Sequence, residues 1–105
     1  MLRAVLAVAI LTSPAYADRD LCARGVVHHG APIDLDVQDA DLHDVLRLLA
    51  DVGRVNLVVG DDVAGKVTVK LKRVPWDAAT CAIAQVHRLR VDVDRNILLV
   101  RRADR

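Results

Sequence analysis

Three features of the chain predict an α+β domain. Ile33-Asp34-Leu35-Asp36-Val37 alternates apolar and polar residues with period two, as a half-buried strand does. Lys66-Val67-Thr68-Val69-Lys70-Leu71 alternates in the same way. Each alternation leads into a stretch with helical apolar spacing, and the second does so through Val74-Pro75-Trp76-Asp77. The predicted order is β-α-β-β-α-β-β, with two helices packed between small β-sheets in one domain over residues 33–102.

After the first strand, Asp39 is placed to cap a helix, because its carboxylate can accept from free N–H groups of the first turn. Leu42, Val45, Leu46, Leu49 and Val52 then share one helical face. Gly53 is expected to end that helix in the left-handed conformation. Val55 to Val59 reads as a strand buried on both faces, since it is almost continuously apolar. Gly60-Asp61-Asp62 turns the chain and Gly65 ends the connection. In the third strand Val67, Val69 and Leu71 point inward, while Lys66, Thr68, Lys70 and Lys72 point outward. Pro75 holds Val74 in extended geometry. The second helix runs from about Trp76 to His87, with Ala79, Ala82 or Ile83, and Val86 facing the core. Arg90 to Val93 and Ile97 to Val100 form a hairpin, with Asn96 of its Asp94-Arg95-Asn96 turn expected to be left-handed.

The first 17 residues carry an export address rather than structure. Arg3 supplies a positive charge, Ala4 to Leu11 an apolar run, and Ala15-Tyr16-Ala17 the small residues that a signal peptidase reads. The run is shorter than the roughly 20 residues that span a bilayer. Cys22 raises the possibility of a lipid anchor, but Arg19-Asp20-Leu21 before it is too charged for a lipidation site. The expected product starts at Asp18, is periplasmic and has no direct membrane anchor. It retains about 88 residues, enough for one small domain. Residues 18–32 form a polar lead segment, expected to be a loop or a loosely ordered arm. With 15 basic and 14 acidic residues the chain is near neutral, which excludes a bulk electrostatic pull toward nucleic acid or anionic lipid. There is no Phe, and Tyr16 leaves with the signal, so Trp76 is the one aromatic of the processed chain.

Ile33 to Leu42, Val45-Leu46-Arg47-Leu48-Leu49-Ala50, Val55-Asn56-Leu57-Val58-Val59, Val63 to Val69 and Val74-Pro75-Trp76-Asp77 together resemble a known family. It is the short N-terminal (STN) domain shared by secretins and TonB-dependent receptors. The wording is closest to the secretin version of type IV pilus and type II or III secretion systems. Asn56, Gly65, Val74, Pro75 and Trp76 carry the family motif. The resemblance covers about 70 residues. The second helix departs from it, with Ala79-Thr80 and Ile83-Ala84 where the family has Ala-Leu and Ile-Leu. The sequence stops at Arg105, without the ring-forming and barrel domains of secretins or the plug and barrel of receptors. The resemblance therefore implies the family's periplasmic interaction role rather than its channel.

The candidate sites point the same way. Cys22 and Cys81 are the only cysteines, and an even pair in an oxidising compartment suggests a disulfide. Closing a loop of about 60 residues would contribute roughly 4 kcal/mol in the chain-entropy model. The alternative is two separate thiols with Cys81 packed in its helix. No Cys-x-x-Cys is present for dithiol redox chemistry. His28-His29, His43 and His87 lack zinc-like spacing and are expected to be solvated, so no metal or cofactor is implied. The only serine lies in the signal segment, no phosphate loop or nucleophile elbow occurs, and no enzyme is expected. The Asp residues are expected at strand exteriors and caps. Lys66, Lys70 and Lys72, the only lysines, line one strand face with Thr68. That face is either an edge guard against aggregation or a docking surface for an acidic partner. Trp76 is expected in the core rather than as an exposed hot spot.

The expected function is a non-enzymatic periplasmic interaction module. It would dock on an envelope protein such as a secretin, a pilus component or a TonB-dependent receptor, and reach the outer membrane only through that partner. Two alternatives stay open: a small periplasmic metal or ligand carrier, and a signalling domain that contacts an anti-sigma factor. A remnant of a longer secretin is a related possibility.

Overall fold

A computed structural model describes residues 19–103; the segment 1–17 expected to be a signal peptide, and Asp18, lie outside the described residues. The elements are β1 (Arg19–Asp20), β2 (Pro32–Asp41), α1 (Leu42–Gly53), β3 (Asn56–Val59), β4 (Lys66–Pro75), α2 (Trp76–His87), β5 (Leu89–Asp94) and β6 (Ile97–Arg102). The predicted α+β order is present, preceded by the short β1. β2 and β4 form an antiparallel two-stranded sheet. The other strands form a four-stranded sheet in the order β1-β5-β6-β3, antiparallel except for the parallel β3–β6 pair. Both helices lie between the two sheets, touching each other and strands of both. Leu42, Leu46 and Leu49 of α1, Ala79 and Ile83 of α2, and Val91, Leu98 and Val100 of the larger sheet meet in one core.

β2 and β4 are each longer than their alternation suggests, and for the same reason. Val37 pairs with Val69 but Ala40 with Val67, so β2 carries one extra residue. Ile33 pairs with Val74 but Leu35 with Leu71, so β4 carries the other. The extra residues are bulges with positive φ, Asp39 at 54° and Arg73 at 55°. Each bulge is held by a side-chain oxygen from the opposite strand: Asp39 N–H donates to Thr68 Oγ1 at 3.0 Å, and Arg73 N–H to Asp34 Oδ1 at 2.8 Å. A bulge resets the side-chain parity, so Ala40 and Val74 face inward after the break.

The bulge also moves the helix cap. β2 continues past Asp39, and Asp41 caps α1, accepting from His43 N–H at 2.8 Å. At the other end Gly53 is the last helical residue. Arg54 takes the left-handed position, with φ 57°, and its N–H bonds the Ala50 and Asp51 carbonyls. Gly53 is needed for a different purpose: a Cβ there would lie 2.4 Å from the Trp76 ring. A Cβ at Gly30 would lie 2.4 Å from Cδ1 of the same indole. Trp76 therefore lies close against two glycines from different parts of the chain and packs against the core.

Other expectations are corrected. β3 is not buried on both faces, because as an edge strand it leaves Val58 53% exposed. In α2, Thr80 and Ala84 are buried, whereas Ala82 and Val86 are exposed. The Thr80 hydroxyl donates to the Trp76 carbonyl at 2.8 Å, which satisfies it inside the core. Arg95 rather than Asn96 is left-handed in the hairpin turn, with φ 60°. The lead segment is mostly loop, as expected, but its first two described residues form β1 and pair with β5.

Gly53→Ala should destabilise the fold by about 1–3 kcal/mol through overpacking against the indole, despite alanine's better helix propensity. Adding Trp76→Leu should make the alanine far less costly than in the single variant. Urea unfolding followed by circular dichroism checks both; additive losses would show that the contact is not limiting.

Candidate interaction site

The outer face of β4 presents Lys66, Thr68, Lys70 and Lys72, all exposed. The register sets acids against two of the lysines, with Asp36 opposite Lys70 and Asp41 opposite Lys66. The face is thus a cross-strand array of mixed sign rather than a bare cationic stripe. Thr68 serves the Asp39 bulge as well as the surface.

Among the described residues β4 pairs only with β2, so its second edge carries no strand. That edge borders a groove of about 230 Å³ between β4 and α2. Val67, Val69, Ile83 and Val86 give the groove an apolar floor and wall, and Lys66 and His87 mark its rim. Val86 is 79% exposed, the most exposed large apolar side chain among the described residues. An unpaired strand edge beside an apolar groove is the geometry that receives an extended peptide by strand addition.

Cys22 and Cys81 are joined as a disulfide that ties the lead segment to α2, with Cα atoms 5.4 Å apart. His28 is half-buried rather than solvated. Its Nε2 donates to the Leu21 carbonyl at 3.0 Å and lies 3.6 Å from Cys81 Sγ. His29 is exposed. His43 is also engaged, through Nε2 to the Val63 carbonyl, and the His87 ring faces Gly65. Among the described residues no three His, Cys or Asp side chains converge as a metal site would require.

The residues expected to carry the family motif occupy structural joints. Asn56 opens β3 and donates its N–H to the Asn96 carbonyl at 2.7 Å. Gly65 has φ 146°, where an L side chain is strained, and accepts from Leu42 N–H at 3.0 Å. Val74 and Pro75 end β4 opposite Ile33 and Pro32. Trp76 N–H donates to the Ala31 carbonyl at 3.0 Å.

Two acids depart from the expected exposed positions. Asp77 is nearly buried, and accepts from the Gly30 and Ala78 N–H groups at 3.2 and 3.1 Å. Asp92 is fully buried; Arg90 Nε reaches both its oxygens at 3.0 Å, and Arg101 Nη2 reaches Oδ2 at 3.1 Å. Arg90 and Arg101 are cross-strand partners, so the trio forms only when the hairpin is in register. An Arg-x-Asp on one strand with Arg on the next is its sequence trace, which has no meaning until the pairing is known.

These features define the class. The chain belongs to the secretin N-terminal domain family, of the N0 or STN-like kind, a non-catalytic family. Its particular similarity is to the type IV pilus secretin PilQ. The chain is 40% identical over 75 residues to the fimbrial assembly protein PilQ of Pseudomonas aeruginosa, covering 71% of this chain and 10% of that protein. It is 39% identical over 69 residues to the type IV pilus biogenesis and competence protein PilQ of Neisseria gonorrhoeae, covering 66% of this chain and 10% of that one. The chain thus spans about a tenth of the length of these curated relatives. The V. cholerae type IV competence pilus secretin PilQ superposes with a TM-score of 0.58 at 39% identity, over 69% of this chain and 17% of that one. The N0 domain of the type II secretin from enterotoxigenic Escherichia coli superposes with a TM-score of 0.62 over 69% of this chain and 95% of that one; at 16% identity this shows the fold alone. No family model matches the sequence. Among the described residues no helix is long and apolar enough to cross a membrane.

Losing Arg90 or Arg101 alone should cost at most about 1 kcal/mol, because each is roughly half exposed and the other remains. Losing both, in Arg90→Ala/Arg101→Ala, should cost about 3–5 kcal/mol by stranding a buried carboxylate. Chemical unfolding of the two single variants and the double variant measures the difference.

Proposed function

We propose that this chain acts as a non-enzymatic interaction module of a secretin-based pilus or secretion machine. The observation that carries the reading is the identity with PilQ over most of the described domain. The names of the relatives tie those proteins to type IV pilus biogenesis and to competence. A non-catalytic fold that presents an open strand edge and an apolar groove suits docking rather than turnover.

In this reading the chain is exported, cleaved after Ala17 and held in the periplasm. It contacts the outer membrane only through its partner, an envelope protein such as a secretin, a pilus component or a TonB-dependent receptor. Docking uses the second edge of β4. The partner's strand backbone continues the two-stranded sheet, its apolar residues fill the groove beside Val86, and its acidic residues meet Lys66, Lys70 and Lys72. The acids of β2 temper the lysine field, so these charges set register and encounter rate more than affinity.

Cross-linking the tagged, exported chain in its own cells, followed by affinity capture and mass spectrometry, tests the reading. Enrichment of a secretin or pilus component is the expected outcome; capture of no envelope protein under several cross-linking conditions overturns it. Replacing Lys66, Lys70 and Lys72 together by Gln should lower recovery of that partner about tenfold while leaving the fold intact. Unchanged recovery would move the docking surface away from β4.

A further inference from the structure

We infer that the Cys22–Cys81 disulfide is a redox latch, which keeps the outer edge of β5 covered by the chain's own β1. This inference is independent of the docking reading and concerns the opposite sheet.

The lead segment is held in two separate ways. From Gly30 onward it is anchored to the start of α2 by two backbone contacts: Gly30 N–H to Asp77 Oδ1 and the Ala31 carbonyl to Trp76 N–H. Those contacts do not involve the cysteines. Before Gly30 the hold is slight. β1 is two residues long, paired with β5 through Arg19–Val93 and Asp20–Asp92. One further backbone bond follows, from Leu21 N–H to the Val91 carbonyl at 2.8 Å. Asp20 stands directly opposite Asp92, whose carboxylate is already held by Arg90 and Arg101, so this pair adds no cross-strand attraction. Leu21 is the one apolar side chain of the segment that packs on the core, whereas Val26 and Val27 are 41% and 69% exposed. A strand this short does not hold an edge unaided. The disulfide, one residue after Leu21, supplies the constraint.

The bond is also placed for exchange. Cys22 is exposed and Cys81 half-buried. The thiolate of an external dithiol can reach Cys22 Sγ, form a mixed disulfide there and expel Cys81 as a thiolate. The second thiol of the dithiol then attacks its own sulfur in that mixed disulfide and releases Cys22. The dithiol leaves as a disulfide, the two cysteines gain its two electrons, and thiol protons are balanced with solvent. His28 Nε2 must carry a proton, because the Leu21 carbonyl it bonds can only accept. That N–H, 3.6 Å from Cys81 Sγ, faces the departing thiolate. It also bonds the backbone of the segment being released, so cleavage of the disulfide and loosening of Leu21 act on one imidazole. With the latch open, the segment before Gly30 swings free and the backbone edge at Val91 and Val93 is bare. An uncovered edge of this kind accepts another extended strand.

Hydrogen exchange of the exported chain, before and after reduction with dithiothreitol, tests the latch. The untreated chain should have no reactive thiol. After reduction, protection should fall by at least about tenfold in residues 19–29 and along β5 at Val91 to Val93, while α1 and β6 stay protected. Three results overturn the inference. Two free thiols in the untreated chain would mean that there is no bond to open. Full protection of residues 19–21 after reduction would mean that the segment is held by other contacts. Loss of protection throughout α1 and β6 would make the disulfide a staple of the whole fold.

Discussion

The close approach of the Trp76 indole to Gly30 and Gly53 is the contact on which the other parts depend. It joins the lead segment, the end of α1 and the start of α2 at one point. The backbone around it is fixed in the same place, with Ala31 accepting from Trp76 and Asp77 accepting from Gly30. The domain has little else of comparable size, since the remaining core is built from Leu, Val, Ile and Ala. A flat ring against two residues without side chains brings a helix and a loop closer than any pair of aliphatic side chains would allow. That closeness sets the position of α2, and with it the groove along β4 and the location of Cys81.

The two bulges in the small sheet serve the same end. Without them, β2 and β4 would keep one side-chain parity along their lengths, and Ala40 and Val74 would face water. The extra residues at Asp39 and Arg73 turn both strand ends back toward the core and add twist. Each is held by a polar side chain, from Thr68 or Asp34, so that residues that look like surface decoration also support the backbone. The free edge of β4 follows from this sheet having only two strands. Lysines face aspartates across the small sheet, and the buried Asp92 is answered by two arginines whose own charge stays in contact with water. The chain is near neutral overall, so it exerts no bulk electrostatic pull.

The sequence by itself determined the α+β class, the element order, the extent of α2 and the side of β4 that carries the lysines. These follow from local periodicity, which a strand or a helix imposes on its own residues whatever lies beside it. Pairing and packing decided the rest. Gly53 looked like a helix terminator because glycine usually is one, but its missing side chain is used by a ring 23 positions away in the chain. The alternation stopped at Val37 and Leu71 because a bulge breaks the period without ending the strand. Asp92 read as a surface acid until the hairpin register brought Arg90 and Arg101 to it. Val86 fell on the expected inner face of α2, yet the helix turns that position outward beside an edge with no neighbour. Each of these depends on a contact between residues distant in the chain, and such contacts leave no period for a sequence reading to detect.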